Sequence, residues 1–257
     1  MLHNNCRAAG FTTLFMFVAA AFAPASLAAL ADYSQDFEGM TPNQGFPPND
    51  LSADGWKIFG IAWDADPYRG PANQAYVYGP FEAANGAPGS IQDVATGEGG
   101  PAQGDVVLNK FTDYNNADQA SLYIQTLTFQ EQTIAPGDVG IWRFTYDAKI
   151  GNLEGASSAF AYIQTIDPTT FFQKGFVSND STNLPVEWGT YTLDLFIDNA
   201  LVGDTLSFGF SATSTNFEGS AVFYDNLNFA RIPLPAVAWL FPAGLLAGLT
   251  WMRRRSA

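Results

Sequence analysis

The chain has one cysteine, Cys6, and one histidine, His3, both within its first seven residues. Beyond residue 7 it has no thiol and no imidazole. This excludes disulfides, thiol nucleophiles, Ser-His-Asp triads and His-ligated zinc or iron from everything downstream. Acids are missing from both ends: residues 1–31 and 232–257 contain no Asp or Glu. All 25 acidic residues therefore lie in 32–231, against seven bases, giving that segment a formal charge of −18. Such a surface repels nucleic acid and anionic headgroups, and suits divalent cations, neutral glycans or a salty medium. G-x-S-x-G, a P-loop and a G-x-G-x-x-G leading into a helix are also absent.

The acid-free ends read as address labels. Arg7 precedes an apolar run from Phe11 to Ala23, followed by small residues with two A-x-A-like sites, Ser26-Leu27-Ala28 and Ala29-Leu30-Ala31. This is the layout of a secretory signal peptide, expected to span 1–31 and leave a mature chain starting near Asp32. At the other end, Ile232-Pro233-Leu234-Pro235-Ala236 leads into an apolar stretch that reaches Met252 and closes on Arg253-Arg254-Arg255. A helix from 232 to 252 spans ~30 Å, the hydrocarbon thickness of a bilayer. The arginines hold their end in the cytoplasm and the body outside.

The 200 residues from 32 to 231 are enough for one extracellular domain with a real core. Segments rich in β-branched and aromatic residues recur at 106–108, 121–129, 141–150, 159–166, 191–197, 205–212 and 222–229. In Tyr191–Ile197 the odd positions are apolar and share one face. Turn clusters such as Ala135-Pro136-Gly137-Asp138 separate these segments, and no stretch carries a helical apolar stripe. The expectation is an all-β, antiparallel jelly-roll sandwich with long loops. Residues 39–105, dense in Gly, Pro, Asn and Asp, read as loops with two or three short strands, and 83–104 as a mobile loop.

Candidate chemistry sits in three places. Asp36-Phe37-Glu38 and Tyr224-Asp225-Asn226-Leu227 lie at opposite ends of the domain. The first and last strands of a jelly roll lie near one another, so Glu38 and Asp225 are candidate ligands of a calcium ion, which takes six to eight oxygens. The loop Trp63-Asp64-Ala65-Asp66-Pro67-Tyr68-Arg69 combines rings with charged hydrogen-bonding groups, as a sugar site does; Trp63, Asp64, Asp66, Tyr68 and Arg69 are its candidate residues. Phe171-Phe172, after Asp167-Pro168, is a second aromatic turn. Trp188 reads as core. Glu131, Glu154, Glu187 and Glu218 read as solvated turn carboxylates, so no catalytic pair stands out.

The tail resembles the PEP-CTERM family of sorting signals in its V-P-L-P-A-like variant, with Ile232 replacing the usual first Val. That resemblance implies an exosortase-type processing enzyme as partner. It also implies export to the envelope or surface of a Gram-negative bacterium that makes exopolysaccharide. The body resembles the calcium-stapled jelly rolls of carbohydrate-binding modules and galactose-binding-like domains, through Glu38, Asp225 and the strand Trp188…Tyr191…Leu193…Leu195. This implies a non-enzymatic domain that associates with extracellular polysaccharide. The alternative is a secreted glycan-active hydrolase with paired carboxylates.

Overall fold

The computed structural model describes residues 29–64, 74–86, 93–112, 122–215 and 220–233. Among them the chain forms twelve strands and a single short α-helix, Asp50–Ala53, besides two 3-10 turns. One sheet runs in the order β10 (Gly189–Ile197), β7 (Gly140–Leu153), β12 (Ser220–Arg231), β5 (Val106–Thr112), β4 (Asp93–Thr96). The short β1 (Tyr33–Gln35) pairs with β12 further along than β5 does, with Tyr33 opposite Phe229 and Gln35 opposite Leu227. The second sheet runs β3 (Gln74–Glu82), β2 (Lys57–Asp64), β6 (Leu122–Thr133), β11 (Thr205–Thr215), β8 (Ser158–Ile166), β9 (Gln173–Asp180). All pairings are antiparallel, and the two sheets form a jelly-roll sandwich.

Period-two alternation builds the core. In β10, Leu193, Leu195 and Ile197 are buried while Thr192, Asp194 and Phe196 are exposed. In β11, Leu206, Phe208 and Phe210 enter the core, and two of these rings stack on β12 across the sandwich. Phe208 lies 4.2 Å from Phe229 and Phe210 lies 3.6 Å from Tyr224, centroid to centroid. Aromatic side chains of this size dominate core energetics through the apolar area they bury.

Several expectations change. Residues 39–105 hold three strands, β2, β3 and β4, as expected, but β2 and β3 are eight and nine residues long rather than short. Their pairing contains two register shifts, and such breaks interrupt the alternation that reveals strands. Trp188 is not core: it is half-buried, donates its indole N–H to Glu98 O at 3.1 Å and lies under Lys149 Nζ. Glu131 sits within β6 rather than in a turn and is ion-paired to Lys57. The sandwich also begins before Asp32. Leu30 is only 7% exposed and belongs to the core, its N–H bonded to Asp138 Oδ2 at 2.9 Å. Ala31 exchanges two hydrogen bonds with the Gln132 side chain.

Candidate cation site

β1 against β12 brings the early and late acidic clusters onto one side of the first sheet. Asp225 points outward from β12, opposite Asp147 of β7. The β7–β12 register then slips between Asp225 and Asn228, and Asn226 takes a left-handed φ of 50°. Asn tolerates this conformation better than most residues. The slip aims Asn226 Nδ2 at Asp147 Oδ2 and at Ala102 O, both 2.8 Å away.

The segment around 98–105 folds back over this face. Glu98 accepts an ion pair from Lys149 at 2.9 Å, and Gln103 Nε2 donates to Asp147 Oδ2 at 2.8 Å. Glu38 Oε1 accepts the backbone N–H groups of Asp105 and Val106, each at 2.8 Å. Gly104 is required here, because at its φ of 60° a Cβ would lie 2.2 Å from Glu38 Oε1.

Beneath this cover Asp225 is fully buried. Its Oδ1 accepts the Asn226 N–H at 2.7 Å, while its Oδ2 and the nearby Gln103 Oε1 are buried without a hydrogen-bond partner. Bare buried oxygens are costly. The Asp225 carboxyl is pushed up to about 7, first by burial and then by repulsion from Glu38, Asp147 and Asp36; the Asn226 N–H partly offsets these. A cleft of about 270 Å³ adjoins it, lined by Ser34, Gln35, Asp36, Asn226 and Leu227.

Asp147 is already engaged, Oδ1 by Thr190 and Oδ2 by Gln103 and Asn226. The charged groups around Asp225 are carboxylates, Glu38, Asp147 and Asp36, with Glu38 Oε1 already accepting two backbone N–H groups. Among the described residues no three His, Cys, Asp or Glu side chains are grouped as a metal site.

A second feature lies on the outer face of the second sheet. Phe160, Tyr162 and Phe176 form a ring cluster with centroids 6.0–6.4 Å apart. Beside it run Ser207, Gly209 and Ser211 of β11, and Gln125 Nε2 donates to Ser211 Oγ at 3.1 Å. Two carboxylates on this face are already partnered: Glu131 by Lys57, and Asp180 by the Thr182 N–H.

Trp63 and Asp64 end β2, in register with Tyr123 and Leu122. Asp66, Tyr68 and Arg69 lie outside the described residues, as do Leu234, Pro235, Ala236 and Arg253–Arg255. Of the sorting motif, Ile232 continues the ladder through its N–H to Ile141 O at 2.8 Å, and Pro233 follows it. Among the described residues no helix is long and apolar enough to cross a membrane.

Fold and site together define a jelly-roll sandwich with an oxygen-lined cluster beside a polar cleft. No protein-family model and no curated protein matches the chain. Solved structures align distantly. The enzymatically active domain of tailspike protein 4 from bacteriophage CBA120 shares 8% identity, TM-score 0.37, over 55% of this chain and only 18% of the phage chain. The CBM22-2 xylan-binding domain of Paenibacillus barcinonensis Xyn10C shares 11% identity, TM-score 0.38, over 78% of this chain and 99% of that domain. A Stig cyclase from Fischerella sp. TAU shares 13% identity, TM-score 0.43, over 80% of this chain and all of that one. At these identities and TM-scores the likenesses carry no inference about what this chain binds.

Proposed function

We propose that the chain is an exported surface protein whose sandwich binds extracellular polysaccharide without cleaving it, and whose fold is stapled by one calcium ion. The polysaccharide reading rests on the outer face of the second sheet. Phe176 there is 47% exposed, with Phe160 and the Gln125 and Gln164 amides partly exposed beside it and Tyr162, Ser207 and Ser211 buried beneath. A ring beside amides can stack on sugar C–H faces while the amides hydrogen-bond the hydroxyls. Two of its carboxylates, Glu131 and Asp180, are tied up in local bonds. With a body charge of −18, neutral polysaccharides are the favoured class. Electrophoresis of the full chain in detergent through gels containing neutral or acidic polysaccharides tests this. Retardation by a neutral polymer, with no loss of polymer viscosity, is expected; unaltered migration in every gel would overturn it.

The calcium would be held partly by Glu38 and Asp225; it would supply charge neutralisation and a tie between the first and last strands. A ligand bound only to the folded state stabilises by ~2.7 kcal/mol at a hundredfold excess over Kd. Chelation is therefore expected to lower the melting temperature by several degrees, and added calcium to restore it. Equal melting curves with calcium and with chelator would remove the staple.

One observation favours the hydrolase alternative. A carboxyl held near 7, flanked by carboxylates and adjoining a cleft that Asp36 lines, resembles the acid half of a glycosidase pair. Viscosity loss that disappears in Asp225→Asn, with the fold intact, would favour that reading over ours.

A further inference from the structure

The aromatic turn between β8 and β9 is built to be rigid and exposed. Asp167 Oδ1 accepts the N–H groups of Thr169 at 2.8 Å and Thr170 at 3.2 Å, and the Asp167 N–H donates to Phe172 O at 3.0 Å. Lys174 clamps the base, 3.2 Å from Asp167 and 2.8 Å from Asp204. On this frame Phe171 is 81% exposed and Phe172 70% exposed. Phe171 has a φ of 57°, a conformation that bulky residues rarely adopt. A strained backbone that presents two rings to solvent points to something outside the sandwich.

The strand order shows which end of the sandwich this is. Asp204 O accepts the Ile134 N–H at 2.9 Å, and Ile134 opens the connection from β6 to β7. Further along that connection, Gly137 O accepts from Arg231 Nη1 at 3.0 Å, and Val139 O accepts from Arg231 Nη2. Arg231 is the last residue of β12. The aromatic turn and the exit of the last strand are thus joined by a continuous set of bonds at one end. Only Ile232 and Pro233 then lead to the apolar stretch beginning at Leu234, and two residues reach at most ~7 Å.

We infer that this end of the sandwich lies on the bilayer surface, with Phe171 and Phe172 seated in the headgroup region as an interfacial anchor. The inference rests on reading 232–257 as a membrane-spanning tail. Aromatic and apolar side chains at this depth are favourable. The acidic body disfavours anionic lipids but not zwitterionic ones. The anchor fixes the orientation of the domain, with the opposite end, where β7 turns into β8 and where Trp63 and Asp64 close β2, directed away from the membrane.

The test uses the full chain in phosphatidylcholine vesicles with Cys6→Ser and one new cysteine carrying an environment-sensitive fluorophore. Thr169→Cys places the label beside the intact Phe pair, and Glu154→Cys places it at the far end. Shallow nitroxide lipids are expected to quench the label at 169 several-fold more than at 154. Adding Phe171→Ser and Phe172→Ser is expected to cut the quenching at 169 several-fold, to the level that the tail tether alone gives, without changing the melting temperature; unchanged quenching in that variant would overturn the inference. Equal quenching at the two positions would overturn the inference. So would shielding at 169 that grows with protein density and ignores lipid quenchers, because the rings would then face a second copy. Failure of the full chain to enter the bilayer at all would strike the tail reading instead, a distinct outcome.

Discussion

Asp225 carries the sharpest residue-level consequence. Its carboxyl holds a proton up to about 7 in the folded state, whereas in the unfolded chain it ionises near 3.9. Between those values the folded state binds more protons than the unfolded one. Stability then falls as pH rises, by at most ~1.4 kcal/mol per pH unit, and levels off above 7. In chelator, the wild-type chain is expected to lose stability from pH 5 to pH 8, and Asp225→Asn to lose clearly less. Parallel urea midpoints for the two proteins across that range would refute the assignment. The lowered carboxyls of Asp167, Asp180 and Asp194 act below their ordinary range and do not enter this window. Phe171 gives a second test: with its ring mostly in water, Phe171→Gly relieves the left-handed strain at little packing cost. It is expected to raise stability by up to ~1 kcal/mol in urea melts. A clear loss of stability would mean the ring packs where it is shown exposed. Glu38 and Asp225 were legible in the sequence because acids flank the domain. Gln103 and Asp147 were not, since a long-range loop and a strand register bring them there.

At the scale of elements, enrichment in β-branched and aromatic residues made β5, β6, β7, β8, β10, β11 and β12 readable; alternation is clean in β10, whereas β11 and β12 are buried on both faces. β2 and β3 hid behind register shifts, and β1 behind its length of three residues. The N-terminal edge was misplaced because Ala29-Leu30-Ala31 satisfies a cleavage pattern, and nothing local reveals that Leu30 fills the core. Cleavage after Ala31 would discard a buried leucine and its bond to Asp138. Cleavage after Ala28 would keep both. The exported protein is therefore expected to begin at Ala29, checked by N-terminal sequencing. A chain started at Asp32 is expected to be ~3 kcal/mol less stable than one started at Ala29, in the range of buried Leu truncations. Equal stabilities would show Leu30 to be dispensable.

For the whole molecule, the sheet ladders of the described residues end where β12 ends at Arg231, with one last bond from the Ile232 N–H. Removing 234–257 is therefore expected to leave the melting temperature unchanged and to release the protein from the membrane fraction. The aromatic turn does not alter this expectation. Two phenylalanine side chains carry about as many apolar carbons as one myristoyl chain, and a single such chain gives only marginal, reversible membrane binding. The turn orients a domain that the tail holds. Truncated protein that still sediments with membranes after a salt wash would require an anchor elsewhere in the chain. Changing Pro233 and Pro235 together to alanine separates sorting from anchoring. The apolar stretch keeps its length and its Arg253–Arg255 terminus, so insertion is expected to persist. A processing enzyme that reads the proline motif is expected to fail, leaving the uncut form on a denaturing gel. If the double variant is processed like wild type, the tail acts through hydrophobicity alone, and the resemblance to a sorting signal loses its mechanistic content.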